Sequence, residues 1–377
     1  MKVLILARGY PTDKYRMNGI FEFDQAKALA KAGHNVIYAA LDMRSIVRWR
    51  KWGIDSFEES EVKVEILNIP LGRSYRKLNK IVDHIFKNFY EKICSHHGEP
   101  DLIHAHFISN GYIVSRILSG GDVPIVLTEH FSGMNREYID SYLNGLGDYT
   151  YKHVNKLITV SSSLSEKIEK NFGIKSEVVP NIVDSNEFEY LPLNKNDKEF
   201  NFVSTGSLTL NKRMDLLIDA FYEAFHDNNN VYLYIFGDGV EHDKLKRLIS
   251  TYHMDKQIFL MGITKRKDIA KKMTQSKCFV LASQSETFGV AYAEAMSMGL
   301  PIISTKCGGP EDFINSENGI LVPVDNKEEL VKALLFIYKN ADKYNNREIV
   351  ETAKRKFSAM TVANKLTQIY LELVNKD

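Results

Sequence analysis

The chain has 377 residues, of which 44% are hydrophobic and 26% are charged, a composition typical of soluble globular proteins. Its 49 basic and 48 acidic residues give a net charge of +1, so it lacks the basic excess of a general nucleic-acid-binding protein. Three cysteines without a CxxC pair argue against a disulfide scaffold. The length exceeds that of one ordinary hydrophobic core, so we expect two domains.

The first apolar segment, residues 2–7, is too short for a secretory signal peptide. No stretch of the sequence approaches the ~20 apolar residues that a helix needs to span a bilayer. We therefore expect a cytoplasmic protein, either free or peripheral on the inner face of the cell membrane.

The first half of the chain alternates short apolar segments with helical patterns. Such alternation predicts buried parallel strands joined by crossover helices. We therefore expect residues 1–185 to form one doubly wound, Rossmann-like α/β domain. The predicted strands are residues 2–7, 36–40, 102–105, 125–128 and 156–160, and the first predicted helix is residues 21–31.

A polar segment, residues 192–199, interrupts this alternation and is typical of a linker. The alternation then resumes, which predicts a second Rossmann-like α/β domain over residues 198–357. We expect the C-terminal helix, residues 358–377, to pack back on the first domain. The predicted strands are residues 200–204, 231–236, 257–261, 278–281 and 301–304, and the predicted helices are residues 214–225, 243–252, 268–274 and 290–298.

Two glutamates flank a predicted loop-to-helix junction in the second half. Glu286 lies in the loop, and Glu294 follows eight positions later, about two helical turns on, so both can face one side. Ligands of open α/β sheets bind at the carboxyl ends of the strands, and free N–H groups at a helix N-terminus favour an anion such as a diphosphate. The simpler interpretation is a helix-capping acid and a surface acid, and two isolated glutamates would favour it.

The surrounding sequence favours the functional interpretation of these two glutamates. Residues 285–303, SETFGVAYAEAMSMGLPII, resemble the E-x7-E region of the family 4 retaining glycosyltransferases, which have the two-domain GT-B fold. Shorter resemblances to this family extend over nearly the whole chain. They lie at residues 18–20, 128–130, 179–184, 202–208, 212–218, 236–239 and 308–311.

The resemblance implies a nucleotide-sugar donor site in the second domain. Glu286 would bind a hydroxyl of the donor sugar, Glu294 the ribose hydroxyls, and Lys212 would neutralise the diphosphate as its charge grows in the transition state. His130 would lie at the transferred sugar, so His130, Glu286 and Lys212 are the implied catalytic residues. The implied donor-binding residues are Gly19, Gly206, Ser207, Lys212, Arg213, Glu286, Thr287, Phe288, Gly289, Val290 and Glu294.

Taken singly, these residues have simpler interpretations: Lys212 as a surface lysine, Gly19 as a turn glycine and His130 as a packing residue. Three positions also depart from the family pattern. Ser207 stands where many members have an arginine, Arg213 stands where glycine is frequent, and Asn18 stands before Gly19 where a second glycine is frequent. Arg213 could therefore supply the cationic contact that Ser207 lacks.

The resemblance further implies retention of anomeric configuration, with no metal and no other cofactor. The sequence agrees to the extent that it has no Asp-x-Asp motif and no compact His/Cys cluster. His104 and His106 would share one face of a strand, either as half a metal site or, as we favour, as strand-end hydrogen-bonding groups. His96 and His97 are predicted to be a solvated pair in a polar loop.

Residues 44–52 contain both tryptophans of the chain and four basic residues, and a second basic and aromatic segment begins at residue 73. Tryptophan beside basic residues suits an anionic membrane surface, here one that carries a lipid-linked acceptor. A soluble phosphate-bearing acceptor would use the same cations, and a solvated face above buried aromatics explains the pattern equally well.

These observations predict a retaining hexosyltransferase that uses a UDP- or GDP-sugar and a glycan or lipid-linked acceptor. Its expected role is surface polysaccharide or glycoconjugate biosynthesis, with no nucleic-acid partner. Two alternatives stay open on sequence grounds. One is a sugar-nucleotide epimerase of the same fold, and the other is a non-catalytic nucleotide-sugar-binding protein.

Overall fold

The computed structural model describes residues 1–12, 14–15, 17–45, 52–72, 79–183, 187–188, 190 and 199–375. The chain divides into two compact units: the first consists of Met1–Ile182 with Ala359–Asp377, and the second of Val183–Ser358. The second unit therefore begins upstream of residue 198, where the sequence places its start. The predicted linker at residues 192–199 lies outside the described residues except for Glu199.

The two units follow the same building plan of strands connected by helices. In chain order the described elements are β1 (Lys2–Ala7), α1 (Ile20–Lys31), β2 (Asn35–Asp42), β3 (Gly53–Glu59), β4 (Val62–Asn68), α2 (Asn79–His97), β5 (Leu102–His106), α3 (Phe107–Leu118), β6 (Ile125–Glu129), α4 (Ser141–Lys152), β7 (Lys156–Thr159), α5 (Ser162–Phe172), β8 (Glu177–Val178), β9 (Phe200–Thr205), α6 (Met214–Phe225), β10 (Val231–Phe236), α7 (His242–Thr251), β11 (Ile258–Gly262), α8 (Arg266–Met273), β12 (Cys278–Leu281), α9 (Val290–Ser297), β13 (Ile302–Thr305), β14 (Gly319–Val322), α10 (Lys327–Asn340), α11 (Asn346–Phe357) and α12 (Ala359–Val374).

The sheet of the first unit has the strand order β3-β4-β2-β1-β5-β6-β7-β8. All neighbouring strands are parallel except the hairpin of β3 and β4. The chain moves outward from β1 through β2 and then returns to β5 on the other side of β1. This change of direction makes the carboxyl ends of β1 and β5 the expected position of a ligand crevice.

The C-terminal helix α12 belongs to the first unit, where it packs against α1. Val362, Leu366, Ile369 and Tyr370 recur at helical spacing and are buried in the same hydrophobic core as Phe23 of α1. This apolar face explains why a helix distant in sequence completes the first unit.

The sheet of the second unit is parallel, with the strand order β11-β10-β9-β12-β13-β14. Here the chain moves outward from β9 through β10 to β11 and returns to β12 on the other side of β9. The loops after β9 and β12 therefore meet at the carboxyl edge of the sheet, where a doubly wound fold binds its ligand.

The prediction of a polar loop at His96 and His97 is wrong. Both residues lie in the last turn of α2, whose buried residues Val82, Phe86 and Phe89 recur at helical spacing. His97 is hydrogen-bonded to the buried carboxylate of Glu65 on β4, with an Nε2–Oε1 distance of 2.9 Å. The pair therefore anchors the end of α2 to the sheet.

Much of the predicted membrane-facing sequence, residues 46–51 and 73–78, lies outside the described residues. Of residues 44–52, Trp52 is 55% exposed, whereas the Arg44 guanidinium is mostly buried and binds Asp42 with an Nη2–Oδ2 distance of 2.5 Å. Arg44 is thus engaged within the first unit. Among the helices in the described part of the chain, none combines the length and the apolar character needed to cross a bilayer.

Candidate active site

Lys212 and Glu286 meet at the carboxyl edge of the second sheet. Lys212 ends a short 3-10 turn that follows β9, and Glu286 lies in the loop after β12. The Lys212 Nζ atom lies 2.5 Å from Glu286 Oε1, and both side chains are mostly buried. The Ser283 hydroxyl donates to the same carboxylate oxygen at 2.6 Å. A cation and a hydrogen-bond acceptor are therefore fixed at the position where the topology predicts a ligand.

Backbone hydrogen bonds hold these two loops together. The Gln284 N–H donates to the Asn211 carbonyl at 2.8 Å, and the Asn211 side-chain amide donates to the Ser285 carbonyl at 3.0 Å. The Glu286 N–H also donates to the Cys307 carbonyl, which lies after β13. The geometry of the Lys212–Glu286 pair is therefore set by backbone contacts as well as by its own charges.

Helix α9 begins directly after this loop. Gly289 is its N-cap, with a φ of 87° that suits glycine. Phe288 is buried against the rings of Phe313 and Phe357 at centroid distances of 5.4 Å, which anchors the loop in the core. In the described chain no side chain caps this helix end, so its first N–H groups are available to an anion.

Glu294 lies on α9 and has a cationic partner that the sequence analysis missed. The Arg266 Nη2 atom, on the first residue of α8, lies 2.5 Å from Glu294 Oε1, and both side chains are mostly buried. Arg266 also forms an ion pair with Glu187 at 3.0 Å. Glu294 is therefore held in one orientation and is not the free surface acid of the simpler interpretation.

The other residues implied for donor binding occupy the same edge of the second sheet. Arg213 has a φ of 46° and pairs with the carboxylates of Asp215 and Asp325, so its charge is already balanced within this unit. Ser207 is exposed, in the loop after β9. Gly206 opens that loop, and Thr287 and Val290 flank the start of α9 in half-buried positions.

Three histidines form a chain at the carboxyl edge of the first sheet, where His104 and His106 are buried and His130 is half-buried. His106 Nδ1 lies 2.9 Å from His130 Nε2, and the rings of His104 and His106 stack at 4.5 Å. His104 is in turn hydrogen-bonded to Thr128 and to Tyr370 of α12. His104 and His106 are therefore hydrogen-bonding groups at the end of a strand, as the favoured interpretation predicts.

Burial controls the protonation of these histidines. Loss of hydration lowers the pKa of His130 to about 3, with a smaller lowering contribution from the nearby Arg8 charge. It also lowers the pKa of His104 to about 3 and that of His106 well below its usual value. His130 is therefore a neutral imidazole at neutral pH, suited to hydrogen bonding rather than to charge stabilisation.

Glu129 fixes the turn that carries His130. One carboxylate oxygen accepts the N–H groups of His130 and Phe131 at 3.0 and 2.8 Å, and the other accepts the Tyr151 hydroxyl at 2.9 Å. Burial raises the pKa of Glu129 to about 7, although these hydrogen bonds act in the opposite direction. Glu129 thus determines the position of the histidine without lying at the surface itself.

Gly19 is packed against its own unit. It is the N-cap of α1 with a φ of 80°, and a Cβ atom there would lie 2.1 Å from the Gly9 carbonyl oxygen. The Tyr38 hydroxyl donates to the Gly9 carbonyl at 2.6 Å. This close approach alone accounts for glycine at position 19, and contact with a diphosphate stays a prediction.

Arg8 is a second residue that the sequence analysis missed. It directly follows β1, and its guanidinium lies over the Phe107 ring at 3.1 Å from the ring centroid. Phe107 in turn contacts the His130 ring at a centroid distance of 4.9 Å. The sequence signal that could have found Arg8 is its position directly after a central strand, because residues that follow central parallel strands tend to face the ligand.

Glu65, His96 and His97 are the group of described residues whose ligand atoms have metal-like spacing, all within 4.8 Å of one another. The buried Glu65 already accepts hydrogen bonds from Ser56 and His97. These contacts account for the cluster as an anchor between β4 and the end of α2.

Comparison with family models assigns both halves of the chain to one family. Residues 23–187 match the model described as Glycosyltransferase Family 4, and residues 186–356 match the model described as Glycosyl transferases group 1. The chain belongs to the family 4 glycosyltransferases and is a glycosyl-transferring enzyme.

Curated relatives agree with this class. The chain is 27% identical over 330 residues to an uncharacterised glycosyltransferase of Methanocaldococcus jannaschii, covering 85% of this chain and 88% of the relative. It is 22% identical over 294 residues to the N-acetyl-alpha-D-glucosaminyl L-malate synthase of Bacillus anthracis, covering 74% and 76% of the two chains.

Solved structures identify the fold as GT-B. Sucrose-phosphate synthase from Thermosynechococcus elongatus superposes with a TM-score of 0.81 at 17% identity and complete coverage of both chains. HepE from Anabaena, solved in complex with UDP and glucose, superposes with a TM-score of 0.76 at 18% identity over 99% of this chain and 100% of HepE.

Proposed function

We propose that this chain is a retaining glycosyltransferase that moves a hexose-type sugar from a UDP- or GDP-sugar to a glycan or lipid-linked acceptor. Its proposed role is surface polysaccharide or glycoconjugate biosynthesis. The observation that carries the proposal is the buried Lys212–Glu286 pair directly before the N-terminus of α9. A cation, an acceptor for hydroxyl groups and free N–H groups are what a sugar diphosphate requires.

The second unit would bind the donor. The diphosphate would attract the Lys212 ammonium and the first N–H groups of α9, while a sugar hydroxyl donates to Glu286. Glu294, oriented by Arg266, would accept hydrogen bonds from the ribose. HepE has been solved with UDP and with UDP-glucose, which favours uridine over guanosine as the base to test first.

The chemistry follows from these positions. The bond between the anomeric carbon and the diphosphate oxygen would break, and the developing negative charge would be stabilised by Lys212 and the α9 dipole. The acceptor hydroxyl would attack from the face that the diphosphate leaves, and its proton would go to the departing phosphate oxygen. The neutral His130 would orient sugar hydroxyls by hydrogen bonding.

This arrangement supplies positive charge from the chain itself, so we expect transfer without a divalent metal. The measurement is transfer in the presence of excess EDTA, compared with the same reaction supplemented with Mg²⁺ or Mn²⁺. Complete loss of transfer in EDTA with recovery on adding a metal would contradict this part of the proposal.

A thermal-shift panel of UDP-, GDP- and ADP-sugars tests the donor site directly. A ligand at 100 times its dissociation constant adds about 2.7 kcal/mol to the stability of the native state. For a unit of this size that is roughly 5–10 °C in the melting midpoint. We expect a UDP-sugar to give the largest shift, and a panel with no shift at all would contradict the proposal.

Glu286→Gln is the decisive variant, because it keeps the shape of the side chain and removes its charge. We expect it to reduce kcat/KM for transfer by about 10²–10³-fold and to lower the melting midpoint modestly, because the mostly buried Lys212 ammonium loses its Glu286 partner. Glu317→Gln, at an exposed position of the same unit, is the matched control and should transfer normally. Turnover of the sugar nucleotide without any acceptor would instead indicate an epimerase.

A further inference from the structure

The end of helix α2 brings two histidines to a buried carboxylate. Glu65 of β4 is 3% exposed, whereas His97 is half-buried and His96 is exposed. One ligand atom from each of these residues lies within 4.8 Å of the other two. The hydrogen bond between His97 and Glu65 anchors α2 to the sheet, but it does not explain why a second histidine converges on the same carboxylate. We refer to these three residues as the α2 histidine cluster.

The Glu65 carboxylate is buried without a permanent positive charge beside it. Among the residues that the structure describes, its ion-pair partner is His97, and histidine side chains in general are only partly protonated around neutral pH. Buried charges in proteins are paired with an opposite charge or coordinate a metal. A divalent cation would supply the positive charge that this carboxylate requires at every pH where the histidines are neutral.

The position of the cluster at the C-terminus of α2 also favours a cation. His96 and His97 are the last two residues of this helix, and Gly98 follows them with a φ of 76°. The last carbonyl groups of a helix carry a partial negative charge, which stabilises nearby cations. The helix end and the Glu65 carboxylate therefore make the same place electrostatically negative.

The separation of the ligand atoms is close to what one metal ion requires. Ligand atoms at about 2.0–2.2 Å from a tetrahedral zinc ion lie about 3.4 Å apart. His97 Nε2 and Glu65 Oε1 are 2.9 Å apart, so they would separate by about 0.5 Å to bind the same ion. The carboxylate only accepts, so Nε2 carries the proton between them, and this proton would move to Nδ1 or be released on metal binding. His96 is exposed, so its ring can turn towards the ion.

Ser56 orients the carboxylate for such a role. It lies directly opposite Glu65 in the hairpin of β3 and β4, and its hydroxyl donates to Glu65 Oε2 at 2.5 Å. Oε1 is the oxygen that faces His97. Carboxylates that bind metals are themselves held by hydrogen bonds of this kind, which fix their orientation.

We propose that the α2 histidine cluster binds one Zn²⁺ ion through His96, His97 and Oε1 of Glu65, with water completing the coordination shell. Two imidazoles and one carboxylate suit zinc, whereas Mg²⁺ and Ca²⁺ prefer oxygen ligands alone. The ion would join the end of α2 to β4 and stabilise the first unit. The inference does not rest on the proposed transfer function, because none of these residues belongs to the candidate active site.

Zinc binding is measured on the full chain without an affinity tag, after treatment with EDTA and removal of the chelator. Isothermal titration with ZnCl₂ should show one ion bound per chain. In scanning calorimetry, Zn²⁺ at 100 times its dissociation constant should raise the transition of the first unit by roughly 5–10 °C. The transition of the second unit should stay in place, and Mg²⁺ at the same concentration should shift neither transition.

Three variants locate the ion. His96→Ala should weaken zinc binding at least about tenfold, and its metal-free midpoint should equal that of the wild type because His96 is exposed. His84→Ala removes another exposed histidine of the same helix and is the matched control, which should bind zinc like the wild type. Ser56→Ala keeps all three ligands and should weaken binding about tenfold through the orientation of Glu65.

A chain that binds no zinc would overturn the inference. Equal losses of affinity in His96→Ala and His84→Ala would also overturn it, because zinc would then bind surface histidines without a defined site. His96→Ala should transfer sugar like the wild type. A loss of zinc binding in this variant is therefore separable from any failure of the proposed transfer function, which is assayed in EDTA.

Discussion

The Lys212 ammonium and the Glu286 carboxylate, 74 positions apart in the chain, form an ion pair with an Nζ–Oε1 distance of 2.5 Å. Each side chain therefore holds the other in place before any ligand arrives. We expect Lys212→Met or Glu286→Gln alone to reduce kcat/KM for transfer by about 10²–10³-fold, as for removal of one preorganised electrostatic contact. The kcat/KM of the double variant should be only slightly below that of the less active single variant, because the effects of two residues that act as a unit do not add.

Transfer kinetics of the four proteins in the cycle provide the measurement. Lys332→Met, which removes an exposed lysine of α10, is the control and should behave like the wild type. Losses that multiplied in the double variant would show that Lys212 and Glu286 contribute independently, contrary to this prediction.

Arg266 and Glu294 form a second pair in the same unit. Arg266→Met would leave the mostly buried Glu294 carboxylate without its Arg266 partner, so we expect a loss of about 1–3 kcal/mol of stability, less than for a fully buried pair. We also expect a higher KM for the donor with a smaller change in kcat, because the proposed role of Glu294 is to bind the ribose of the donor. Chemical denaturation and initial rates measure the two effects, and an unchanged donor KM would count against a role for Glu294 in donor binding.

The sequence predicts the central strands well, because a strand buried on both faces is a continuous apolar segment. The β3 strand escapes this pattern, since it is an edge strand whose residues are mostly exposed. Helix α2 did carry a readable signal. Its buried residues Val82, Phe86, Phe89 and Ile93 recur at helical spacing, and this spacing predicts a helix that continues towards His97.

The residues of the candidate site also differ in whether the local sequence reveals them. Lys212 and Glu286 stand in local sequence strings that resemble those of the family, so they could be proposed without a structure. Arg266 is 28 positions from Glu294 and lies on another helix, so no local pattern connects the two. Arg8 contacts Phe107 only because β1 and β5 are neighbours in the sheet, and sheet order is a long-range property that periodicity does not report.

His106 is a positioning residue for His130, because its Nδ1 atom is hydrogen-bonded to His130 Nε2. The Nδ1 atom of His130 is therefore the nitrogen that can face the sugar. If the proton between the two rings belongs to His106, this Nδ1 carries its own proton and donates, and if it belongs to His130, Nδ1 accepts. We expect His106→Leu to reduce kcat by up to about 10²-fold, the low end for a positioned acid–base group, with little change in the donor KM. His106→Asn keeps a hydrogen-bonding side chain and should restore part of the rate.

The pH dependence of kcat in these variants distinguishes a positioning role of His106 from a packing role. The pH dependence of kcat should change in His106→Leu and return towards the wild type in His106→Asn. Tryptophan fluorescence checks folding of the first unit, since both tryptophans, Trp49 and Trp52, belong to it. Equal rate losses in both variants with an unchanged pH profile would indicate a packing role only.

Acid should destabilise the first unit. Burial lowers the pKa of His104 and His130 to about 3 and lowers that of His106 as well, whereas these groups titrate near 6.5 in an unfolded chain. The unfolded state therefore binds more protons below pH 6.5, and stability falls as the pH drops from 6.5 towards 3. Glu129, with its pKa raised to about 7, acts in the opposite direction between pH 4.5 and 7.

Burial also lowers the pKa of His34 and raises that of Glu22 in this unit. With four histidines against two glutamates, we expect the denaturation midpoint followed by tryptophan fluorescence to fall between pH 6.5 and 5. Glu129→Gln should steepen this fall, because the folded state then no longer takes up the Glu129 proton whose binding opposes the effect of the histidines. His226→Asn, at an exposed position in the second unit, should leave the profile unchanged. A midpoint that stayed constant over this range would contradict neutral, buried histidines in the folded state.

Two glycines in contact at the carboxyl edge of the second sheet should respond very differently to alanine. A Cβ atom at Gly237 would lie 1.9 Å from the Gly206 carbonyl oxygen, and Gly237 has a φ of 133°. We therefore expect Gly237→Ala to cost about 2–4 kcal/mol through overpacking and backbone strain. At Gly206 the nearest atoms to a new Cβ belong to the Lys212 side chain at 3.6 Å, an ordinary contact, so Gly206→Ala should cost less than about 1 kcal/mol.

Scanning calorimetry measures both variants, because a two-unit chain can unfold in more than one transition. The transition of the second unit should drop by roughly 5–15 °C in Gly237→Ala and shift little in Gly206→Ala, while that of the first unit stays in place in both. The clash displaces the Gly206 backbone, which leads into the loop ending at Lys212, so Gly237→Ala should also weaken donor binding. If Gly237→Ala were as stable as Gly206→Ala, the loops after β9 and β10 would separate easily. The position of Lys212 would then not be fixed by its backbone contacts, contrary to this prediction.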